Sequence, residues 1–355
     1  MASVLRTVPR LRLRSLAVIA AALAIMVPGV SHAKVRELKV MTQNLYLGAS
    51  LEAAIDATDP IEFLVAVATI YATVQFTDFP ARAEAIAAEV AENTPDIIGL
   101  QEVSNWISAG PGAPPSLDFL AILQQALQSQ GLSYSVAAVS NNANIGPIPL
   151  LSPCDAGSSC FLTFKDRDVI LVNDETTDLE ISNPQSGHYT NQVVVTTPVG
   201  PLSFDRGWVS IDGKLQGKKF RFANTHLETE AAPAVQEAEA REFLAGPAKA
   251  GGAVIAVGDF NSAADGSTTS TYAILTKSYF DDAWDLNRGD PGFSCCQNET
   301  LTNPTSLLNS RIDLVLTHAA SRALDANLIG DVPFEATPPF WPSDHAGVVA
   351  TLRIH

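Results

Sequence analysis

Six stretches of the chain set a carboxylate, amide or imidazole at the margin of an apolar run. They are VMTQN, closing on Asn44; IIGLQE, on Glu102; FRFANTH, on His226; and AVGDFN, on Asp259 and Asn261. RIDLVL opens with Asp313, and PSDH brings Asp344 and His345 just before a last apolar run. Turns use Asp, Asn and Gly for local hydrogen bonds and positive φ, so chain reversal explains any one of them. Six at strand margins in one chain instead fit a site mounted on the rim of a sheet structure.

The residue types agree with one another as chemistry. Glu102, Asp344 and Asn44 offer hard oxygen ligands, which suit Mg2+ or Mn2+ rather than a thiolate-seeking metal. Asp259 and Asn261 lie two apart on extended chain and point the same way. An Asp beside a metal can orient or deprotonate water, and an Asn can hold a phosphoryl oxygen. His345 as imidazolium offsets charge on a pentacovalent phosphate when a carboxylate holds its other ring nitrogen; Asp313 is the candidate. His226 is a second donor to phosphate. Metal-assisted hydrolysis of a phosphodiester requires each of these parts, with either Asp259 or His345 as the base.

Strands and helices alternate in the elements that must hold these residues. Apolar runs predict strands at 35–44, 96–103, 133–140, 167–173, 206–212, 218–228, 252–260, 311–318 and 345–354. Helices are expected at 60–75 and 80–92, each with Pro near its first turn, and at 116–130, 232–244 and 269–277. Many strands with interspersed helices imply an α/β fold of two mixed sheets packed face to face and covered by helices. The stretch 140–160, rich in Asn, Pro, Gly and Ser, reads as a loop insertion. Residues 49–79 and 287–300 are further additions, each able to form a lid or wall over the site.

The first 33 residues read as a leader rather than as fold. Arg6, Arg10, Arg12 and Arg14 precede the apolar stretch 16–30, and Ser31-His32-Ala33 offers small residues for cleavage after Ala33. The run is short of the roughly 20 apolar residues that spanning requires. A secreted, extracytoplasmic protein with one domain over 34–355 is expected. Without the leader, Lys+Arg falls from 22 to 18 against 38 Asp+Glu, a net charge of −20. Such a balance opposes a broad nucleic-acid groove, which needs clustered Lys and Arg. It permits a phosphodiester substrate wherever a bound cation reverses the local field. A monomer is expected. Four cysteines allow three pairings; Cys154–Cys160 is the easiest to close, which leaves Cys295 and Cys296 bonded to each other or free.

Taken in order, QNLYLG, PDIIGLQEV, NTHLE, GDFNS, RIDLVL and SDHAGVVATL resemble the endonuclease/exonuclease/phosphatase superfamily. That group includes pancreatic-type deoxyribonucleases and neutral sphingomyelinases. The resemblance implies a four-layered α/β sandwich and Mg2+-dependent cleavage of a phosphoester. By motif, Asn44 and Glu102 match the metal-side residues, and Asp259 and Asn261 the pair that orients water and phosphate. Asp344 matches the acid before the catalytic His345, and Asp313 the acid that holds this histidine. His226 matches the histidine of the nuclease and sphingomyelinase branches, and Arg206 falls where several members place a phosphate contact. A nuclease-like phosphodiesterase is the first expectation. A sphingomyelinase- or phospholipase C-like hydrolase is the alternative, with Phe340-Trp341 as its hint of lipid contact, and a non-catalytic binding or toxin subunit is the reading from another class.

Overall fold

The computed structural model describes Ala2 and residues 36–151, 154, 155, 157–277 and 279–355. The expected leader, Ala2 apart, lies outside the described residues. The first part of the chain runs β1 (Leu38–Asn44), α1 (Glu52–Ile55), α2 (Pro60–Phe76), α3 (Phe79–Asn93), β2 (Ile97–Gln101), β3 (Asn105–Ala109), β4 (Leu117–Asp118) and α4 (Phe119–Ser129). Next come β5 (Tyr134–Leu150), β6 (Cys160–Asn173), β7 (Leu179–His188), β8 (Val194–Thr197), β9 (Gly200–Ser203), β10 (Gly207–Leu215) and β11 (Lys218–His226). The last part holds α5 (Pro233–Ala245), β12 (Ala253–Asp259), α6 (Thr271–Thr276), β13 (Asp281–Asp282), β14 (Asp313–His318) and β15 (Ser321–Ile329). Two short strands, β16 (Glu335–Ala336) and β17 (Pro339–Phe340), precede β18 (Gly347–Ile354).

Among the described residues two large sheets form. One has the order β15-β18-β1-β2-β6-β3-β4 with β5 added along β6; the other runs β13-β14-β12-β11-β10-β7. In β12 every residue is buried, and the reason is visible in its two faces. Ala253, Ile255 and Val257 meet Val40, Ile97 and Val348 of the other sheet, whereas Val254 and Ala256 meet Phe243 of α5 and Leu275 of α6. A strand covered on both sides reads as a continuous apolar run rather than an alternating one. On the far side, Met41, Ile98, Leu100 and Val169 pack against α2, α3 and α4. The order helices–sheet–sheet–helices is the four-layered α/β sandwich expected from the sequence.

Helix starts follow local chemistry. Asp59, Asp78 and Asp118 each accept backbone N–H groups at the first turn of α2, α3 and α4, satisfying donors that a helix leaves unpaired there. Asp118 also explains why α4 begins at Phe119 and not at residue 116.

The loop expected at 140–160 is corrected over 140–150, while the described residues from 151 to 159 lie outside any strand. β5 continues to Leu150, pairing with β6 from Tyr134↔Asn173 to Leu150↔Cys160. Asn142, Gly146 and Pro147 sit where the register shifts, between Asn141 and Ala143 and between Ile145 and Ile148. Bulges tolerate such residues inside a strand, which is why composition misled. Cys154 pairs with Cys160 and Cys295 with Cys296.

Candidate active site

Strand register assembles the site. β1 and β2 run parallel with Asn44 beside Gln101, so Glu102 follows at the same rim. In the second sheet β11 and β12 are parallel with His226 beside Asp259, and antiparallel β14 sets Asp313 on the other side of Asp259. Three chemistry-bearing residues therefore occupy adjacent positions on three adjacent strands. The polypeptide passes close here: Gly258 has φ +149°, and a Cβ at this position would lie 2.0 Å from the Thr225 carbonyl oxygen.

The two sheets meet through Asn44, whose Nδ2 donates to Asp259 Oδ2 and to Glu102 Oε1, each at 3.1 Å. Its Oδ1 accepts the Tyr46 N–H at 2.9 Å, which fixes the amide orientation. Asn44 thus presents nitrogen to the two carboxylates, at the rim where a metal-side residue was expected. Glu102 Oε2 accepts the Leu47 N–H at 2.7 Å.

His345 is held on both sides. Its Nδ1 lies 2.8 Å from Asp313 Oδ2, and its Nε2 faces Asp259 Oδ2 at 3.8 Å and Asp344 Oδ1 at 4.0 Å. Burial by itself would push this imidazole down. The Asp313, Asp344 and Asp259 carboxylates outweigh it and hold the group well above its ordinary value. Asp259 is pushed up to about 7, first by burial and then by Asp313. Asp344 also rises to about 7, by burial and then by Glu102, against the pull of His345.

His226 is the opposite case. Its Nε2 takes Asn261 Nδ2 at 3.0 Å and Arg206 Nη1 at 3.1 Å. Burial, the Arg206 cation and His345 push its pKa well down. The lowered value favours the neutral imidazole, and Asp259 Oδ2 lies 3.5 Å from the same Nε2. Asn261 Nδ2 lies 3.0 Å from His226 Nε2 and donates to the Leu227 carbonyl oxygen at 2.9 Å, so its amide helps fix the histidine. Its φ of +50° and its N–H bond to Asp259 Oδ1 mark a tight turn. Arg206 also pairs with Glu228 at 3.2 Å; it stands inside the cluster rather than on a solvated surface.

A cleft of about 380 Å³ opens beside this cluster. Glu102, Asp166, Arg206, His226 and Glu228 line its polar side, and Leu47, Leu51, Ile55, Phe164, Val193 and Phe204 its apolar side. Leu51, Ile55, Phe164 and Phe204 also line an adjoining apolar pocket that reaches Phe63 and Ile70 of α2. The addition at 49–79 is therefore a wall of the cleft.

Several contributors were missed from sequence. Buried Arg82 donates to the carbonyl oxygens of Leu45, Tyr46, Thr77 and Pro342, joining the loop after β1 to the loop before His345. Asp166 and buried Asp168 alternate on β6, with Asn142 Nδ2 on Asp168 at 2.8 Å. The motif KDRD carried no signal beyond a charged strand. Trp341 is buried against Tyr46 and Leu301 and donates to the Asn303 carbonyl oxygen at 2.9 Å, so it packs the loop.

The donor set suits a divalent cation. Carboxylates of Glu102, Asp259 and Asp344 gather at one rim; burial raises Asp259 and Asp344, with Asp313 adding to the first and Glu102 to the second, a repulsion that hard-oxygen coordination would relieve. Asp259, Asp313 and His345 also bring one ligand atom each within 4.8 Å of one another. The Asp313–His345 pair is already spent on a hydrogen bond, which leaves Glu102 and Asp344 as the better holders.

Comparisons with known proteins give the family and the fold. Residues 41–345 match the model of the endonuclease/exonuclease/phosphatase family. No curated protein sequence matches the chain. A family protein from Bacteroides thetaiotaomicron is similar in structure with TM-score 0.56 and 15% identity, over 91% of this chain and 99% of that one. One from Beutenbergia cavernae gives TM-score 0.54 and 20% identity, over 90% and 72%. Truncated TDP2 from Caenorhabditis elegans gives 0.50 and 19%, over 89% and 97%. At these identities the solved structures speak for the fold alone, and it is the family match, spanning every strand that carries the site up to His345, that assigns the chain: it belongs to the endonuclease/exonuclease/phosphatase family.

Proposed function

We propose that this protein is an exported, divalent-metal-dependent phosphodiesterase with nuclease-like chemistry. The observation that carries the reading is His345 held between Asp313 on one ring nitrogen and Asp259 near the other. The unequal protonation of these groups assigns their roles. His345 keeps its proton near neutrality and can donate from Nε2 to a phosphoryl or leaving oxygen, with Asp313 stabilising the imidazolium. Asp259, titrating near 7, is the group able to take a proton from the attacking water. Asn44 keeps the Asp259 and Glu102 carboxylates in place, and Arg206, against His226, supplies a cation on the polar side of the cleft. Mg2+ or Mn2+, held by Glu102 and Asp344, would supply Lewis-acid stabilisation of that charge.

The apolar side of the cleft favours a second reading, a lipid phosphodiester of the kind that sphingomyelinases and phospholipases C cleave. Leu51, Ile55, Phe164 and Phe204 would receive an apolar substituent next to the reacting phosphate. One experiment addresses both. Purified protein lacking residues 1–33 is assayed with Mg2+ or Mn2+ on plasmid DNA, RNA, sphingomyelin, phosphoinositides and a chromogenic phosphodiester. Hydrolysis that survives excess chelator, or that persists in Asp259→Ala and His345→Ala, would sink the mechanism. Selective turnover of the lipid substrates would favour the second reading over the first.

A further inference from the structure

One group of soft ligands stands against the catalytic histidine and has no part in the hydrolytic reading. The segment Ser294–Gln297 lies alongside the Asp344–Ala346 backbone. Gln297 N–H donates to the Asp344 carbonyl oxygen and Ala346 N–H to that of Ser294, both at 2.8 Å, with Cys295 bridged to His345. The same segment grips the partner acid, because Ser294 Oγ accepts the N–H groups of Ile312 and Asp313 at 3.1 Å each. Cys296 Sγ comes to rest 3.8 Å from His345 Nε2, the nitrogen that faces Asp259. Two sulfurs and this nitrogen bring one ligand atom each within 4.8 Å of one another, and Cys296 is half-exposed.

Hard carboxylates and soft sulfurs thus flank one imidazole, and they select different ions. As a disulfide the sulfurs offer no thiolate. We propose that, once reduced, Cys295 and Cys296 bind a thiophilic cation such as Zn2+ or Cd2+ together with His345 Nε2, withdrawing the histidine from catalysis. The reductant is a dithiol. It transfers two electrons and two protons to the Cys295–Cys296 bond and is itself oxidised to a cyclic disulfide. The incoming cation then displaces both thiol protons and the Nε2 proton, so three protons leave as three bonds to metal form. A small-molecule disulfide then accepts two electrons from the two thiolates and, with two protons from water, leaves as two thiols, which restores the Cys295–Cys296 bond, expels the ion and frees Nε2.

The test uses the chain lacking residues 1–33 with Cys154→Ala and Cys160→Ala, so that only the two thiols of interest are present. After dithiol reduction and anaerobic removal of the reductant, Cd2+ is titrated in excess Mg2+, which fills oxygen sites. The expected result is an ultraviolet cadmium–thiolate band that saturates at about one ion per chain and is absent in the oxidised protein. The cadmium NMR resonance should fall in the mixed sulfur–nitrogen range. His345→Ala should keep the band but bind at least about tenfold more weakly, as loss of one ligand requires. Cys296→Ser should abolish the saturable band. Equal affinity in His345→Ala, an all-oxygen resonance, or no band in the reduced parent overturns the proposal. None of these readouts needs a substrate, so they stand or fall separately from the phosphodiesterase reading. In a matched assay, hydrolysis should fall in proportion to Cd2+ bound and return on reoxidation; inhibition equal in reduced and oxidised protein counts against the proposal.

Discussion

At the scale of single residues the site is a set of unlike neighbours. Asp259 and His345 lie 3.8 Å apart, yet one is poised to accept a proton and the other to give one. Substituting Asp259→Asn or His345→Ala should lower kcat by about 10²–10⁴-fold, the usual worth of a positioned acid or base, with an unchanged circular dichroism spectrum. Asp313→Asn tests the coupling. It removes the first of the carboxylates that hold the His345 proton, so the alkaline limb of the pH–rate profile should move to lower pH. An unmoved limb would show that His345 is not the acid. The acid limb follows Asp259, whose folded value is about 7; activity is lost as pH falls through it. Because a cation beside Asp344 favours the ionised acids, this limb should shift to lower pH as Mg2+ concentration rises.

Elements set the mounting of those residues, and two polar side chains show how. Arg82 leaves α3 to satisfy carbonyl groups from both loops that flank the site. Arg82→Ala would strand those carbonyls, and we expect a loss of about 3–5 kcal/mol in denaturant unfolding. Arg82→Lys should rescue little, since a single ammonium cannot reproduce the planar fork. Glu239 on α5 accepts the Glu228 N–H at 2.7 Å beneath the Arg206 pair. Burial raises it from 4.5 to about 8. A carboxyl raised on folding stabilises the protein below its unfolded value, and that contribution is lost as pH climbs through the folded one. Thermal stability should therefore decline between about pH 4.5 and 8, and Glu239→Gln, which keeps an acceptor for the Glu228 N–H, should flatten the decline.

For the whole molecule the governing quantity is charge. Residues 34–355 carry −20, and the cleft lines Arg206 with Glu102, Asp166 and Glu228. Repulsion between such a surface and a polyanion is screened by salt. If DNA is hydrolysed, kcat/KM should rise as ionic strength increases from low values, whereas a zwitterionic phosphodiester should show little dependence. Falling kcat/KM on DNA would reveal a basic track that the charge distribution does not display.

The sequence by itself determined the sandwich and most of the rim. An apolar run such as 253–257 must be buried on both faces, and polar residues at its end must then lie where the sheet stops. That made Asn44, Glu102, His226, Asp259, Asp313 and His345 legible as candidates. Chain order is silent about which atom faces which, and there the tertiary structure decided. The Tyr46 N–H turned the Asn44 amide toward the carboxylates, and Arg206 came to rest against His226. Arg82, Asp166 and Asp168 escaped notice because their neighbours are remote in sequence, and for the same reason nothing tied Cys295 and Cys296 to His345. The hairpin of β5 and β6 was hidden for a related reason. Its bulges accept Asn, Gly and Pro, the residues that local reasoning assigns to loops, and only pairing with a distant strand makes them sheet.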